Sequence, residues 1–247
     1  MDVSGSLNSA AAAPSELPFE LESLSRAYRY QRWVADAVSP YWGRRILELG
    51  AGVGNLSQHL PVRDRLILTE MEPALYARLS QRATEIATEA RAAAGVVSVQ
   101  PFDLANDSID PLVAEGLDTI ISFNVLEHIE NDRAALRRLV EILKRGGAER
   151  PRRLVTFVPA HQWAYGTMDK AFGHHRRYTA AGFRRLAEEV APGARVTTRY
   201  FNTFGLVGWV LTGRILRRSS IGLGSIHLFE ALCPVIRPID DAVHRIF

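Results

Sequence analysis

Residues 46–54 read Ile46-Leu47-Glu48-Leu49-Gly50-Ala51-Gly52-Val53-Gly54. The apolar residues predict a buried strand, and the glycines that follow stand at alternate positions. Because glycine has no Cβ, it lets the chain turn at positive φ and lets a ligand lie against the backbone. The stretch therefore predicts a small-molecule loop at the end of a strand. The dinucleotide-binding pattern needs a glycine where this chain has Asn55, so a nicotinamide or flavin fits less well.

Further apolar runs alternate with helical segments along the chain. With 247 residues, 47% of them hydrophobic, the chain can bury one sizeable core. The alternation predicts an α/β fold with a doubly wound, mainly parallel sheet. We expect strands near 45–49, 65–69, 96–100, 118–123 and 153–158, a helix over 19–38, and a disordered segment over 1–18.

Polar residues stand where these strands end. Glu70 follows the loop by about 20 residues, the spacing of a ribose-binding acid. Phe102-Asp103-Leu104 ends the third strand and Asn124 ends the fourth. With Glu48 before the alternate glycines, this order resembles the class I S-adenosylmethionine-dependent methyltransferases. The resemblance implies a Rossmann-like methyltransferase fold and S-adenosyl-L-methionine as the cofactor.

The resemblance also implies which residues bind the cofactor. Glu70 would bridge the ribose hydroxyls, and Asp103 would accept from the adenine amine. Taken singly, each acid is also explained as a helix cap, and the glycines as a tight turn. The complete expected set is Glu48, Gly50, Ala51, Gly52, Glu70, Met71, Phe102, Asp103, Leu104, Asn124 and Tyr30. Tyr30 is equally explained as a packed aromatic side chain.

Histidines and acids are concentrated after the fifth strand, in residues 158–178. A Pro-Ala-His segment, an Asp and then Gly-His-x-Arg-Arg-Tyr resemble a bacterial methyltransferase subgroup that acts in glycan and natural-product pathways. We expect His174 to be the general base and Asp169 to orient it. The subgroup commonly has Tyr where this chain has His175, so which histidine faces the site stays open. The alternative is that His174 and Arg177 only cap the next helix and pair with Asp169.

The same segment supplies candidate acceptor-binding residues. Arginine presents a planar fork of donors that suits a sugar, carboxylate or phosphate. The expected set is His161, Tyr165, Arg176, Arg177 and Tyr178. We expect a small-molecule or glycan-like acceptor.

A metal ion is the competing interpretation of Glu127-His128. Some related enzymes that methylate RNA ends or quinone precursors bind a divalent ion through such a pair. Here Asn124 replaces one carboxylate of the RNA-end version, which weakens a site for a hard cation. We therefore expect no metal.

The C-terminal third departs from a bare methyltransferase core. Residues 195–201 resemble a sixth strand, and apolar helical stretches follow near 204–218 and 224–236. The subgroup has a similar insert over the acceptor pocket and then a seventh strand, which this sequence does not reach. We expect one methyltransferase domain over 19–247, with 204–247 as a helical cap. A weak membrane-surface contact through 204–218 is the competing interpretation of its first helix.

Composition limits the function classes. The single Cys233 excludes an intramolecular disulfide framework and a thiolate metal cluster. The net charge is +3, and the arginines are spread along helices, so we expect no nucleic-acid partner. The sequence has neither an apolar run long enough to span a membrane nor a signal-peptide pattern, from which we expect a cytoplasmic protein.

Three functions fit the sequence. The first is an O-methyltransferase, with an N-methyltransferase acting on an amine or peptide terminus as its neighbour. The second is a non-catalytic S-adenosylmethionine-binding partner module. The third is a nicotinamide-dependent oxidoreductase, which Asn55 disfavours. The oligomeric state has no sequence signal.

Overall fold

The computed structural model describes residue 21 and residues 24–89, 95–147 and 149–246. The predicted disordered segment 1–18 and the first residues of the predicted helix 19–38 lie outside this part of the chain.

The described residues form one five-stranded parallel sheet with the order β3-β2-β1-β4-β5. This confirms the predicted doubly wound, mainly parallel sheet. Strand β1 lies at the centre, where Leu47 pairs with Ile67 of β2 on one side and Ile120 of β4 on the other. The strands are β1 Arg45–Leu49, β2 Arg65–Glu70, β3 Val96–Pro101, β4 Thr119–Phe123 and β5 Arg153–Phe157.

Helices connect and flank the strands. They are α1 Tyr28–Val38, α2 Pro73–Glu89, α3 Asp110–Ala114, α4 Asp132–Arg145, α5 Thr167–Ala171, α6 Ala180–Val190, α7 Thr203–Trp209 and α8 Leu223–Ile246. A π-helical segment, Val210–Ile215, continues α7. Short 3₁₀ turns cover Ser39–Tyr41, Ser57–His59, Leu126–His128 and Gln162–Ala164. No helix among these residues is long and apolar enough to cross a bilayer.

The sheet separates two apolar cores because successive side chains of a strand point to opposite faces. On one face Leu47 and Ile120 pack with α3, α4 and α6. On the other, Ile46 and Ile121 pack with α1 and α2. Burial on both faces explains why the central strands are continuous apolar runs. The same burial holds the loops after β1, β2 and β4 together at one edge of the sheet.

The predicted sixth strand over 195–201 is wrong. These residues belong to the described chain but form no strand, and β5 is the last strand of the sheet. In the described sheet β5 pairs only with β4, and residues of β5 and of 195–201 line the same cavity. Side chains hold 195–201 in place instead: Arg199 pairs with Asp241, and the Tyr200 hydroxyl accepts a hydrogen bond from the backbone of Ala180.

Helix α8 supplies the N-terminal cap of α1. The residue before α1, Ala27, has no side chain that can cap a helix. The Glu230 carboxylate accepts from the backbone N–H groups of Arg29 and Tyr30, at 2.8 and 2.9 Å. The Glu230 carbonyl lacks its helical hydrogen bond, because Pro234, four residues later, has no N–H group. Arg29 Nη1 donates to this carbonyl instead, at 3.0 Å. The first and last described helices are therefore joined through one residue.

Candidate active site

The loop after β1 turns through three glycines in the left-handed region. Gly50, Gly52 and Gly54 have φ of 64°, 60° and 79°. A Cβ on Gly50 would lie 2.7 Å from Val125 Cγ2, which follows β4, and one on Gly52 would lie 3.1 Å from Leu21 Cδ2. Glycine is therefore required here both for conformation and for space.

Glu70, at the end of β2, holds this loop. Its Oε2 accepts from the Gly52 N–H at 2.9 Å, and its Oε1 accepts from the backbone of Met71 and Glu72 at 2.9 and 3.0 Å. Glu70 is thus part of the glycine loop and not only a local cap. The sequence predicted the position of this acid but not its bond to the loop.

The third-strand residues have structural roles. The Asp103 carboxylate accepts from the Ala105 backbone at 2.8 Å and from Asn106 Nδ2 at 2.7 Å, closing a turn. The Asn106 and Ala105 bonds lower the pKa of Asp103. Phe102 and Leu104 are buried in the core, whereas Met71 is exposed. Their contacts with adenine stay predictions.

Glu48 is a buried acid at the end of β1. Only 2% of it is exposed, and burial raises its pKa to about 7. Among the described residues, its Oε2 has no hydrogen-bond partner. A carboxyl that is half ionised near neutral pH next to the glycine loop can accept a hydrogen bond from a cationic ligand group.

Replacing Glu48 with Gln is expected to stabilise the protein at pH 8. The unfolded carboxyl ionises above pH 4.5 and the folded one only near 7, so folding stability falls as the pH rises between these values. The gap corresponds to about 3 kcal/mol at pH 8 and to almost nothing at pH 4. Urea denaturation at both pH values measures the difference. Glu188→Gln, at an exposed acid on α6, is the control, and equal stabilisation by both variants would contradict the burial argument.

The glycine loop adjoins a cavity of about 1300 Å³. The contact point is the turn after β4, since Val125 meets Gly50 and the neighbouring Asn124 lines the cavity. Asn124 has φ 51°, and its N–H donates to the Phe157 carbonyl of β5 at 2.8 Å. The cavity continues past Tyr30, His161 and His174 to the outer edge of β5.

His174 and Asp169 form a buried pair on this cavity. His174 Nδ1 lies 3.0 Å from Asp169 Oδ1. Burial raises the pKa of Asp169, but hydrogen bonds from His174 and Arg177 outweigh it and hold that pKa at about 2. The carboxylate is therefore ionised and accepts from Nδ1–H, and in the neutral imidazole this bond leaves the lone pair on Nε2. Within the described residues, no hydrogen-bond partner meets Nε2.

Other donors fix Asp169 in its position. Arg177 Nε donates to Oδ1 at 2.7 Å, the Gly166 N–H to Oδ2 at 2.8 Å, and Trp209 Nε1 to Oδ2 at 3.1 Å. The Trp209 ring also stacks on His174 with ring planes 2° apart, and the Arg177 guanidinium lies 4.6 Å from its centre. A fully bonded carboxylate between rigid elements gives the imidazole a single orientation.

The sequence did not predict the role of Trp209. Trp209 lies 40 residues from Asp169 in an apolar helix, where the sequence indicates only that a tryptophan packs against its neighbours. Two glycines bring its helix close: a Cβ on Gly166 would lie 2.8 Å from the Gly213 carbonyl oxygen, and one on Gly213 would lie 3.2 Å from Met168. The π-helical turn at 210–215 lies at this contact, as such turns often do at functional sites.

The other histidines have different surroundings. His175 is exposed, so of the adjacent pair His174 is the one that faces the cavity. His161 lines the cavity and stacks on Tyr200, and burial lowers its pKa. The His128 ring packs edge-on against His174, and burial lowers the pKa of His128 to about 4, which keeps it neutral.

Four predicted acceptor-binding side chains are used within the fold, and one of them is Arg177, which donates to Asp169 and to the Ala160 carbonyl. The Tyr165 hydroxyl donates to the His174 carbonyl at 2.7 Å. Arg176 donates to the carbonyls of Ile129 and Glu130, and the Tyr178 hydroxyl donates to Asp132 at 2.9 Å. Burial raises the pKa of Tyr178. Their acceptor contacts stay predictions.

Glu127, His128 and His174 form a cluster in the structure. From the sequence alone, Glu127 and His128 belong to the metal interpretation and His174 is the expected general base. Their potential ligand atoms all lie within 4.8 Å of one another. Two imidazoles and one carboxylate are a donor set for a divalent transition metal. The base and the metal interpretation thus share His174, and an experiment must separate them.

The comparisons agree with this geometry. Residues 47–148 match the sequence family of a methyltransferase domain. No curated protein matches the chain significantly. The magnesium protoporphyrin IX methyltransferase of Synechocystis PCC 6803, solved with bound SAH, is 18% identical, with a TM-score of 0.50 over 78% of this chain and 85% of that one. The YcgJ protein of Bacillus subtilis is 13% identical, with a TM-score of 0.51 over 76% of this chain and 80% of that one.

At such identities the two solved structures establish the fold alone. The domain match covers β1 to the end of α4, which includes the glycine loop, Glu70, Asp103 and Asn124. The part of the chain that carries His174 and Trp209 lies beyond it. The comparisons thus show a methyltransferase-domain match over residues 47–148 and a Rossmann-like methyltransferase fold.

Proposed function

We propose that the protein transfers a methyl group from S-adenosyl-L-methionine to a hydroxyl of a small-molecule or glycan-like acceptor, with His174 as the general base. The observation that carries this proposal is the orientation of His174. Its Nδ1 is held by an ionised carboxylate, its buried Nε2 has no hydrogen-bond partner among the described residues, and the side chain lines the cavity that adjoins the glycine loop.

The residues at the strand ends fit the donor. Gly50 and Gly52 form a loop at positive φ without a Cβ, and the acids Glu48 and Glu70 lie at the ends of β1 and β2, before and after this loop in the sequence. Glu70 would hold the ribose, and Glu48 the methionyl ammonium. When bound, the donor supplies an electrophilic methyl group on its sulfonium.

The cavity residues then handle the acceptor. His174 Nε2 removes the hydroxyl proton as the oxygen is alkylated, and Asp169 stabilises the imidazolium that forms. Arg177 and Trp209 hold Asp169, so they are positioning residues. Asn124 marks the point where donor and acceptor would meet, because it lines the cavity and adjoins Val125 at the glycine loop.

Calorimetric titration tests the donor half. S-adenosylmethionine and S-adenosylhomocysteine are expected to bind, and NAD is not. Glu70→Ala should weaken donor binding by about 1 to 3 kcal/mol, since a charge-assisted hydrogen bond and a loop contact are lost. Glu72→Ala, at an exposed acid two residues later, is the control. Equal donor affinity in all three proteins would contradict the assignment of Glu70.

Product formation tests the acceptor half. The protein is incubated with donor and a panel of hydroxyl and amine acceptors, with and without a chelator. Methylated hydroxyl product that forms with the chelator present supports the proposal. Transfer only to amines would favour an N-methyltransferase. Binding of S-adenosylmethionine without any product would favour a non-catalytic partner module. Loss of product when the chelator is added would favour a metal centre at Glu127, His128 and His174.

A further inference from the structure

Two rows of apolar side chains on α7 and α8 face solvent. On α7 and its π-helical continuation the row is Phe204, Val207, Leu211 and Ile215, and Val207 and Ile215 are 63% and 65% exposed. On α8 the row is Leu228, Leu232, Val235 and Ile239. Both rows repeat every three or four residues, so each lies along one helix face. Contiguous exposed apolar surface on a folded protein indicates a docking site.

Helix α8 is apolar on two opposite faces. Ile226, Cys233 and Ile236 are buried on the inner face, near α1. Charged side chains of this helix also bind other parts of the fold: Glu230 binds the start of α1, Arg237 pairs with Asp36, and Asp240 accepts from the backbone of Asn202 and Thr203. The outer row contains only apolar residues, although it faces solvent. An apolar helix face in water favours an apolar environment on that face.

The charge beside these rows has one sign. Residues 203–229 contain Arg214, Arg217 and Arg218 but no Asp or Glu. Arg214 is exposed on the π-helical segment, and Arg217 and Arg218 are exposed between this segment and α8. Apolar rows next to arginines are complementary to anionic lipid, because acyl chains can contact the apolar side chains while phosphates pair with the guanidinium groups. A second copy of this chain would present the same arginines without acids from this stretch to pair with them.

We propose that α7 and α8 dock on the surface of an anionic lipid bilayer. The apolar rows enter the boundary between headgroups and acyl chains, and Arg214, Arg217 and Arg218 contact lipid phosphates. The helices lie on the membrane, since no helix in the described ranges can span it. Trp209 and Phe229 on these helices line the cavity, so the bilayer lies about one helix diameter, roughly 10 Å, from the candidate active site. The proposal does not depend on methyl transfer.

Vesicle co-sedimentation of the full chain tests this proposal. The protein is expected to sediment with mixed phosphatidylglycerol and phosphatidylcholine vesicles, much less with phosphatidylcholine alone, and less as salt is raised. Val207→Ser with Ile215→Ser should weaken binding by about tenfold or more. Arg217→Gln with Arg218→Gln should weaken it by about thirtyfold on anionic vesicles only.

Matched controls change the same residue types elsewhere. Val96→Ser, at an exposed valine on the opposite edge of the sheet, is the control for the apolar variant. Arg137→Gln with Arg185→Gln, at two exposed arginines on other helices, is the control for the charge variant. Thermal melting and light scattering monitor folding and oligomeric state. Absence of sedimentation with anionic vesicles, or sedimentation that the controls reduce as much as the test variants, overturns the proposal. So does a stable dimer that Val207→Ser dissociates, because the rows would then cover each other.

Discussion

Replacing His174 with Asn is expected to lower kcat by about 10²–10⁴-fold while the dissociation constant of S-adenosylmethionine stays nearly unchanged. Loss of a general base acts on the transition state, whereas the residues proposed to hold the methyl donor, at the strand ends, are unchanged. Steady-state kinetics and calorimetry measure the two quantities.

His175→Asn is the matched control, because this exposed neighbour has the same chemistry but does not face the cavity. Trp209→Phe tests positioning, because it keeps an aromatic ring over His174 but removes the N–H group that donates a hydrogen bond to Asp169. We expect kcat to fall while the affinity for S-adenosylmethionine stays unchanged. Asp169→Asn is a poorer test, since it would leave the buried Arg177 without its carboxylate. A fully active His174 variant would assign the base elsewhere or leave positioning alone as the source of catalysis.

Replacing Gly50 with Val is expected to abolish donor binding. Its Cβ would lie 2.7 Å from Val125, and φ of 64° is a conformation that a β-branched residue rarely adopts. Because the clash is with the protein itself, this variant should also lose fold stability. Gly52→Ala separates the two effects, since the nearest atom to its Cβ is the flexible end of Leu21 at 3.1 Å. It should weaken donor binding strongly and lower the melting temperature slightly.

Gly193→Ala controls for backbone strain in this series. Gly193 has φ 80° but nothing within 4 Å of its Cβ position, and it lies away from the loop. The expected pattern is a similar change in melting temperature for Gly52→Ala and Gly193→Ala, with donor affinity lost only in the former. Donor affinity that survives in both Gly50→Val and Gly52→Ala would remove the loop from the site.

Much of the sheet could be predicted because burial on both faces demands unbroken apolar runs. Strands β1 to β5 begin and end within one residue of the predicted ranges. The error at 195–201 has a physical cause. Val196, Tyr200 and Phe201 have the composition of a strand, but a strand also needs a neighbour in register, and pairing is not encoded within one segment. Tyr200 and Phe201 contact other aromatic side chains instead.

The site was predictable where chemistry and position coincide. His174 and Asp169 are close in sequence, and the expected contact between them is present. Trp209 could not be predicted, because its contact depends on how α7 packs on α5. Arg176 and Tyr178 were expected at the acceptor because of their donor groups. Their bonds to backbone carbonyls and to Asp132 satisfy those groups within the fold, and a sequence pattern does not distinguish the two uses.

The capping of α1 by Glu230 has a consequence for the order in which the molecule forms. A ribosome releases the residues of α1 long before those of α8, so during synthesis α1 lacks the carboxylate that caps its N-terminus, about 200 residues away. The sheet can form in the meantime from strands that follow one another closely. We therefore expect α1 to become ordered only when α8 emerges, although its residues are made well before those of α8.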